Sequence, residues 1–212
     1  PTSGSAERLA REIFEVAVEK MGRGYYSEKY VVRAREVLLH HGMNPVVTMQ
    51  VFQKKEAFVA GTAEAIGILK LCLSEGYSFS DLDVLALYDG DRADPWDTVM
   101  RIEGPYAAFS HLETLYVGVL ARRTRIATNT RAVVEAAWPR PVMFFPARHD
   151  HWMVQTGDGW AAHVAGAIGV DPETGMVPDD VEEEIRIVLD SMKDRLERVG
   201  MSMDDLVTVQ VF

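Results

Sequence analysis

Segments with apolar residues at helical spacing alternate with short runs of β-branched residues, and that alternation confines the chain to a mixed helix-and-sheet fold. Ser5 can cap a first helix that runs to about Met21, with Leu9, Ile13 and Val16 on one face and Gly22-x-Gly24 ending it. A second helix is expected over Glu28 to His41, stopped by Gly42 and the Asn44-Pro45 turn. Val46 to Phe52 reads as a strand because it is rich in β-branched residues. After Gly61, residues Ala63 to Leu73 have the apolar content of a buried helix, with Cys72 packed there. Leu82 to Tyr88 is a second apolar strand, closed by the acidic turn Asp89-Gly90-Asp91, and Thr98 to Glu103 is a third.

Gly104-Pro105 then leads into a helix, since proline suits a first helical turn. This helix, Tyr106 to about Ala121, is apolar on nearly every side and is expected to be buried. His111, Glu113 and Thr114 are its polar exceptions and need partners. A further helix is expected over Thr124 to Ala137. The continuous apolar run Val142 to Phe145 has the look of a strand buried on both faces, as in parallel sheets and α/β barrels. Its C-terminal end opens onto Arg148-His149-Asp150-His151, the end of a strand where such folds collect functional residues. Beyond the turn at Asp171 to Gly175, Asp179 or Asp180 caps a helix striped by Val181, Ile185, Val188, Leu189, Met192, Leu196 and Val199. Gly200 ends it, and Leu206 to Phe212 reads as a strand. Thr208 to Phe212 echoes Thr48 to Phe52, too short a match to establish a repeat.

Charge is distributed unevenly. The 212 residues carry a formal net charge of −10, which argues against a general nucleic-acid binder. Between Ala121 and His151, however, lie Arg122, Arg123, Arg125, Arg131, Arg140 and Arg148, with no lysine and with only Glu135 and Asp150 opposing them. The planar fork of arginine meets carboxylate or phosphate bidentately, so an arginine-only island in an acidic chain points to a small anionic ligand. The alternative for any single arginine is a solvated helix face or an ion pair. One cysteine, Cys72, excludes an intrachain disulfide and a cysteine-based zinc site, so the expected compartment is the cytoplasm. No apolar run approaches membrane-spanning length, and Pro1 to Ser5 does not read as a signal peptide.

Other constellations carry less. His149-Asp150-His151 lacks the spacing of a helical metal motif, so no metal site is expected. The acidic run Asp89, Asp91, Asp94 and Asp97 lacks the spacing and closing glutamate of a calcium loop and reads as an exposed turn. Thr156-Gly157-Asp158-Gly159 could let backbone N–H groups approach a phosphate, or could be a plain turn before a helix. His111 and Glu113 stand two apart on a helix and do not form a direct pair.

Several motifs occur in order: Tyr26-Ser27-Glu28-Lys29-Tyr30, Ile102 to Tyr106, His111 to Leu115, Thr124 to Thr128, and Pro141 to His151. Together they resemble the nicotinate phosphoribosyltransferase family over about residues 25–170, with quinolinate phosphoribosyltransferase a more distant relation. The resemblance implies an α+β chain, with a mixed α/β N-terminal domain over 1–121 and the start of an incomplete α/β barrel over 122–170. It implies transfer of phosphoribose from phosphoribosyl pyrophosphate to nicotinate in NAD biosynthesis, with Mg2+ and often ATP, by homo-oligomers with shared sites. Nicotinate is a carboxylate and the donor carries a phosphate and a pyrophosphate, which suits the basic island. By motif position, Arg148 holds the nicotinate carboxylate or a donor phosphate, and His151 stands at the family's catalytic histidine. Tyr26 or Tyr30 stacks on a pyridine ring from a neighbouring subunit. His149, Arg125 and Thr128 are carried over as substrate-binding, His149 standing where the family often has a second arginine.

From Asp171 to Phe212 the chain resembles instead the RidA-like enamine/imine deaminase family. The likeness rests on the acidic turn, the long helix, Gly200-Met201-Ser202-Met203-Asp204-Asp205 and the final strand. This helix-strand segment, 171–212, lacks the later arginine-bearing segment with which that family grips a substrate carboxylate. Besides a phosphoribosyltransferase with an incomplete barrel, two readings stay open. One is a non-catalytic fused or truncated fragment that binds a small anion, and the other is a RidA-like imine deaminase.

Overall fold

The computed structural model describes residues 17–140, 142–146 and 148–167, with scattered positions between 186 and 203. The chain divides into two compact units, residues 1–128 and 129–212. The helix expected over Ser5 to Met21 falls largely outside the described residues; its described part is α1, Val18–Gly22.

The first unit is built on a three-stranded antiparallel sheet. Helix α2, Lys29–His40, precedes strand β1, Val46–Phe52. Strand β2, Ala57–Phe58, leads to helix α3, Thr62–Cys72. Strands β3, Asp83–Ala86, β4, Arg92–Ala93, and β5, Thr98–Pro105, follow. The sheet order is β1-β5-β3, while β2 and β4 form a separate ribbon. In β1, Val47, Met49 and Val51 pack on the core while Val46, Thr48, Gln50 and Phe52 face outward, the period of two that a half-buried strand requires. The core closes between the inner face of the sheet and α3, with Ile68, Leu69, Cys72, Met100, Ile102, Phe109, Leu112, Tyr116 and Leu120 buried. Burial of this apolar surface is what holds the unit together. Gly104 of β5 is required sterically: a Cβ there would stand 2.4 Å from the Leu82 side chain and 3.0 Å from the Asp81 carbonyl.

The helix expected over Tyr106 to Ala121 is broken. A short helix α4, Tyr106–Phe109, passes through a 3-10 turn, Ser110–Leu112, into α5, Glu113–Ala137. The break has a visible cause. Ser74 takes up the carbonyls of α4, its hydroxyl donating to Ala107 (2.7 Å) and its N–H to Ala108 (3.0 Å). Those carbonyls are thereby withdrawn from the helical ladder. Conversely, the two helices expected on either side of Arg122-Arg123 are one. Nothing in that stretch breaks a helix, and the Thr124 hydroxyl is bonded to the Ala60 backbone after β2 rather than capping a new start.

In the second unit, α6, Trp152–Val164, takes in the Thr156 to Gly159 segment, which is neither a phosphate loop nor a turn. Gly157, Asp158, Ala161, Ala162 and Ala165 are buried along it, and packing of this small-residue face overrides the low helix propensity of glycine. The strand expected over Val142 to Phe145 is not formed. Its residues have no extended pairing beyond an isolated bridge at Met143, and Phe145 is 61% exposed. A doubly buried strand needs strands on both flanks, and the described residues supply none there. The described positions Arg186, Leu189, Asp190, Lys193 and Glu197 are helical, and Gly200 adopts φ +75° after them. The remainder of the deaminase-like segment lies outside the described residues. Among the described residues, no helix is long and apolar enough to cross a membrane.

Candidate functional site

Two of the sequence motifs meet in the first unit. The turn at residues 23–26 brings the chain to Ser27, whose hydroxyl donates to the carbonyl of His111. The Glu28 N–H donates to the Thr114 hydroxyl at 3.2 Å. The entry of α2 is thus fastened to the entry of α5, 84 and 86 residues further along. This docking leaves Tyr26 and Tyr30 on the outside, 43% and 64% exposed. Tyr25 meets Tyr26 edge-on at 5.0 Å, and Lys20 Nζ lies 5.6 Å over the Tyr25 ring. The carboxylates of Glu113 and then Glu28 push the Tyr30 phenol above its ordinary range. Exposed rings beside a cation can stack on a planar heteroaromatic ring that carries a carboxylate.

His111 lies beneath this junction, fully buried. Its Nε2 lies 3.1 Å from the Cys72 carbonyl; a carbonyl only accepts, so Nε2 carries the proton. Nδ1 then holds a lone pair with no hydrogen-bond partner among the described residues, as does the adjacent Ser110 hydroxyl. Burial, with the Arg35 guanidinium second, pushes the imidazole down to about 4. His111 is therefore a neutral core residue. Thr114 has its partner in Glu28, and Glu113 sits half-buried at the start of α5.

The arginine-rich stretch of α5 is largely structural where its partners are visible. Arg123 is buried and grips Glu64 with both faces of its fork, Nε to Oε2 at 2.7 Å and Nη2 to Oε1 at 3.0 Å. Gly61, at φ +91°, makes room for it, since a Cβ there would stand 2.8 Å from Arg123 Cβ and Cγ. No sequence signal marks this pair; its members stand 59 residues apart. Thr128, carried over as substrate-binding, has its hydroxyl 2.9 Å from the Phe58 N–H it accepts and 3.4 Å from the Phe58 carbonyl. Arg125 is exposed. In the second unit, Arg131 pairs along the helix with Glu135 at 2.7 Å. The guanidinium groups of the island thus do not all converge on one pocket.

In the acidic run after β3, Asp94 and Asp97 are exposed as expected, while Asp89 and Asp91 are half-buried and take structural bonds. Asp89 Oδ1 accepts from both the backbone N–H and the hydroxyl of Thr62 at 2.8 Å, which closes the first turn of α3. Asp91 accepts from the Tyr88 N–H at 2.7 Å.

Arg148, His149 and His151 cluster at the entry of α6, all exposed. The turn before them is held by His149 and Asp150 N–H groups donating to the Pro146 carbonyl at 2.8 and 3.2 Å. His151 is the N-cap: its Nδ1 accepts from the Met153 N–H at 3.2 Å, and its ring stacks on Trp152 at 5.5 Å. Nε2 is the nitrogen left to a ligand. A helix N-terminus carries partial positive charge, so the residues of this turn stand beside a field that favours an anion.

Residues 30–124 match the family model of the quinolinate phosphoribosyl transferase N-terminal domain, and residues 147–212 match that of endoribonuclease L-PSP. The chain is therefore similar to two families in succession. Among solved structures it resembles a nicotinate-nucleotide pyrophosphorylase from Pyrococcus furiosus, with TM-score 0.65 and 21% identity, over 92% of this chain and 50% of that one. It also resembles human nicotinic acid phosphoribosyltransferase, with TM-score 0.61 and 15% identity, over 70% of this chain and 37% of that one. These likenesses are of fold. Among curated relatives, a RutC family protein of Pyrococcus abyssi is 44% identical over 50 residues, 23% of this chain and 39% of the relative. A RutC family protein of Pyrococcus horikoshii is 40% identical over 50 residues, 23% of this chain and 40% of the relative. The chain spans half or less of every one of these proteins.

Proposed function

We propose that this chain is a nicotinate phosphoribosyltransferase-type protein of NAD biosynthesis that binds the pyridine carboxylate. Arg148 pairs with the nicotinate carboxylate or a donor phosphate, His149 and His151 flank it, and the helix dipole of α6 adds to the same field. Tyr26 and Tyr30 offer their faces to the pyridine ring in a neighbouring subunit. The observation that carries the reading is the fastening of Ser27 and Glu28, just ahead of the segment 30–124 that matches the family model, onto His111 and Thr114 within it. In the reaction the resemblance implies, the pyridine nitrogen attacks the anomeric carbon of phosphoribosyl pyrophosphate and pyrophosphate leaves. Fixed cations absorb the charge that develops.

Magnesium, which the resemblance implies, is commonly held by one or two carboxylates together with substrate phosphates; among the described residues no three histidine, cysteine, aspartate or glutamate side chains come together to hold it without them.

Calorimetric titration of the 212-residue chain with nicotinate tests the reading. Binding is expected, and Arg148→Ala is expected to weaken it by about 2–3 kcal/mol, the loss of a charge-assisted pair. Absence of binding, or an affinity indifferent to Arg148, refutes it. A second reading is favoured by the match of residues 147–212, namely imine hydrolysis of the RidA type. Ammonia release from a reactive imine, with nicotinate unbound, would select it.

A further inference from the structure

Strand β1 has an edge that no other element among the described residues pairs with or covers by hydrogen bonds. Among the described residues it pairs on one side only, with β5. It is seven residues long and regular, since the single register irregularity skips Val99 on the β5 side. It holds no charge and no proline. Natural sheets blunt such edges with lysines, prolines, bulges or short strands, because unpaired N–H and C=O groups template a further strand. The opposite edge, β3, follows that rule: it is four residues long and opens on Asp83.

The order of residues in β1 is symmetric in polarity about Met49. Val46 mirrors Phe52, Val47 mirrors Val51, and Thr48 mirrors Gln50. An antiparallel copy turned about Met49 therefore meets apolar with apolar and polar with polar at every position. Each mirrored pair also shares a parity, so the core-facing side chains stay on one face and the outer ones on the other. Just past the strand, Lys54 and Lys55 would fall opposite Asn44 and Met43, with no like charges facing each other.

The outer face carries a second indication at the strand's end. Trp96 adopts φ +75°, a left-handed conformation that costs a non-glycine residue energy. Its N–H donates to the Gln53 carbonyl at 2.6 Å, and its indole lies 5.4 Å from the Phe52 ring while remaining 65% exposed. Val46, at the other end of β1, is 68% exposed. The two-fold brings Val46 of each copy against the Phe52–Trp96 pair of the other, and exposed aromatics of this kind anchor interfaces.

We propose that two copies of this chain associate edge to edge through β1, antiparallel about Met49, to join their three-stranded sheets into one of six strands. Backbone hydrogen bonds supply the association and the mirrored side chains fix the register.

Sedimentation velocity over a concentration series tests it, with charges placed at the exposed outward positions. Thr48→Lys with Gln50→Lys sets like charges opposite each other twice across the two-fold. It is expected to raise the dimer dissociation constant about tenfold or more. Thr48→Lys with Gln50→Glu sets opposite charges there and is expected to keep the dimer. Circular dichroism of both doubles checks that the fold is intact. A chain that is monomeric up to millimolar concentration overturns the proposal. So does a double-lysine variant that associates as before, or a lysine–glutamate variant that dissociates as readily as the double lysine.

Discussion

His111 shows how one side chain records its surroundings in its titration. Its neutral form is favoured by burial and then by the Arg35 guanidinium, against the opposing pull of the Cys72 carbonyl, and the imidazole is displaced from an ordinary 6.5 to about 4. Between those values the unfolded chain binds a proton that the folded chain does not, so stability rises with pH there. The contribution is fully present above about pH 6.5 and is lost as pH falls towards 4. It amounts to on the order of 3 kcal/mol. Urea denaturation at pH 7 and pH 4 is expected to show that loss in the native chain and its absence in His111→Met. An equal pH dependence in the two chains would show that the imidazole is not the cause. The sequence marks His111 as a polar residue on an apolar helix in need of a partner. It does not mark the partner, because Cys72 reaches it only through folding. Arg123 is similar: its chemistry is legible, but its commitment to Glu64 is made by the packing of α5 on α3 at Gly61.

At the level of elements, α5 does work its sequence does not announce. Thr124 and Thr128 each use one hydroxyl to close both the N–H and the C=O of a single residue, Ala60 just past β2 and Phe58 within it. The spacings agree physically. Four helical residues rise about 6 Å and two strand residues about 6.7 Å, so an i, i+4 pair of threonines can serve alternate residues there. Between them Val59 turns its groups the other way, its N–H to Asp91 and its carbonyl to Gly90, both at 2.8 Å. Thr124→Val is expected to cost about 2 kcal/mol, because two buried backbone groups lose their partner, and Thr128→Val about 1 kcal/mol at its half-buried site. Thr124→Ser should restore most of the loss. Denaturant midpoints measure all three, and a neutral Thr124→Val would show that the hydroxyl is dispensable. Periodicity recovers β1, α2 and α3 to within a residue or two because local pattern and tertiary burial agree there. It misplaces the break near Ser110, where Ser74 withdraws the carbonyls of α4.

For the whole molecule, the weight falls on how much of a catalytic unit is present. The chain spans half of the pyrophosphorylase it resembles, and its second unit matches a different family model. A phosphoribosyl transfer needs acceptor and donor groups fixed together, and each missing cation costs transition-state stabilisation. We therefore expect nicotinate binding without steady pyrophosphate release when the chain is supplied with phosphoribosyl pyrophosphate and Mg2+, with or without ATP. Continuous nicotinate-dependent release would show instead that the chain holds a complete donor site.

Local pattern alone determined that this protein mixes helices with short strands, where most of them lie, and that its cations are arginines concentrated between Ala121 and His151. Those properties depend on the spacing of residues along the chain, which folding does not alter. Tertiary structure alone decided which arginines remain outward. It also left Val142 to Phe145 without a sheet, and fastened the Tyr26–Tyr30 turn onto His111 and Thr114 across more than eighty residues. Pairings at that distance in sequence are fixed by burial and hydrogen-bond closure, which only the assembled core imposes.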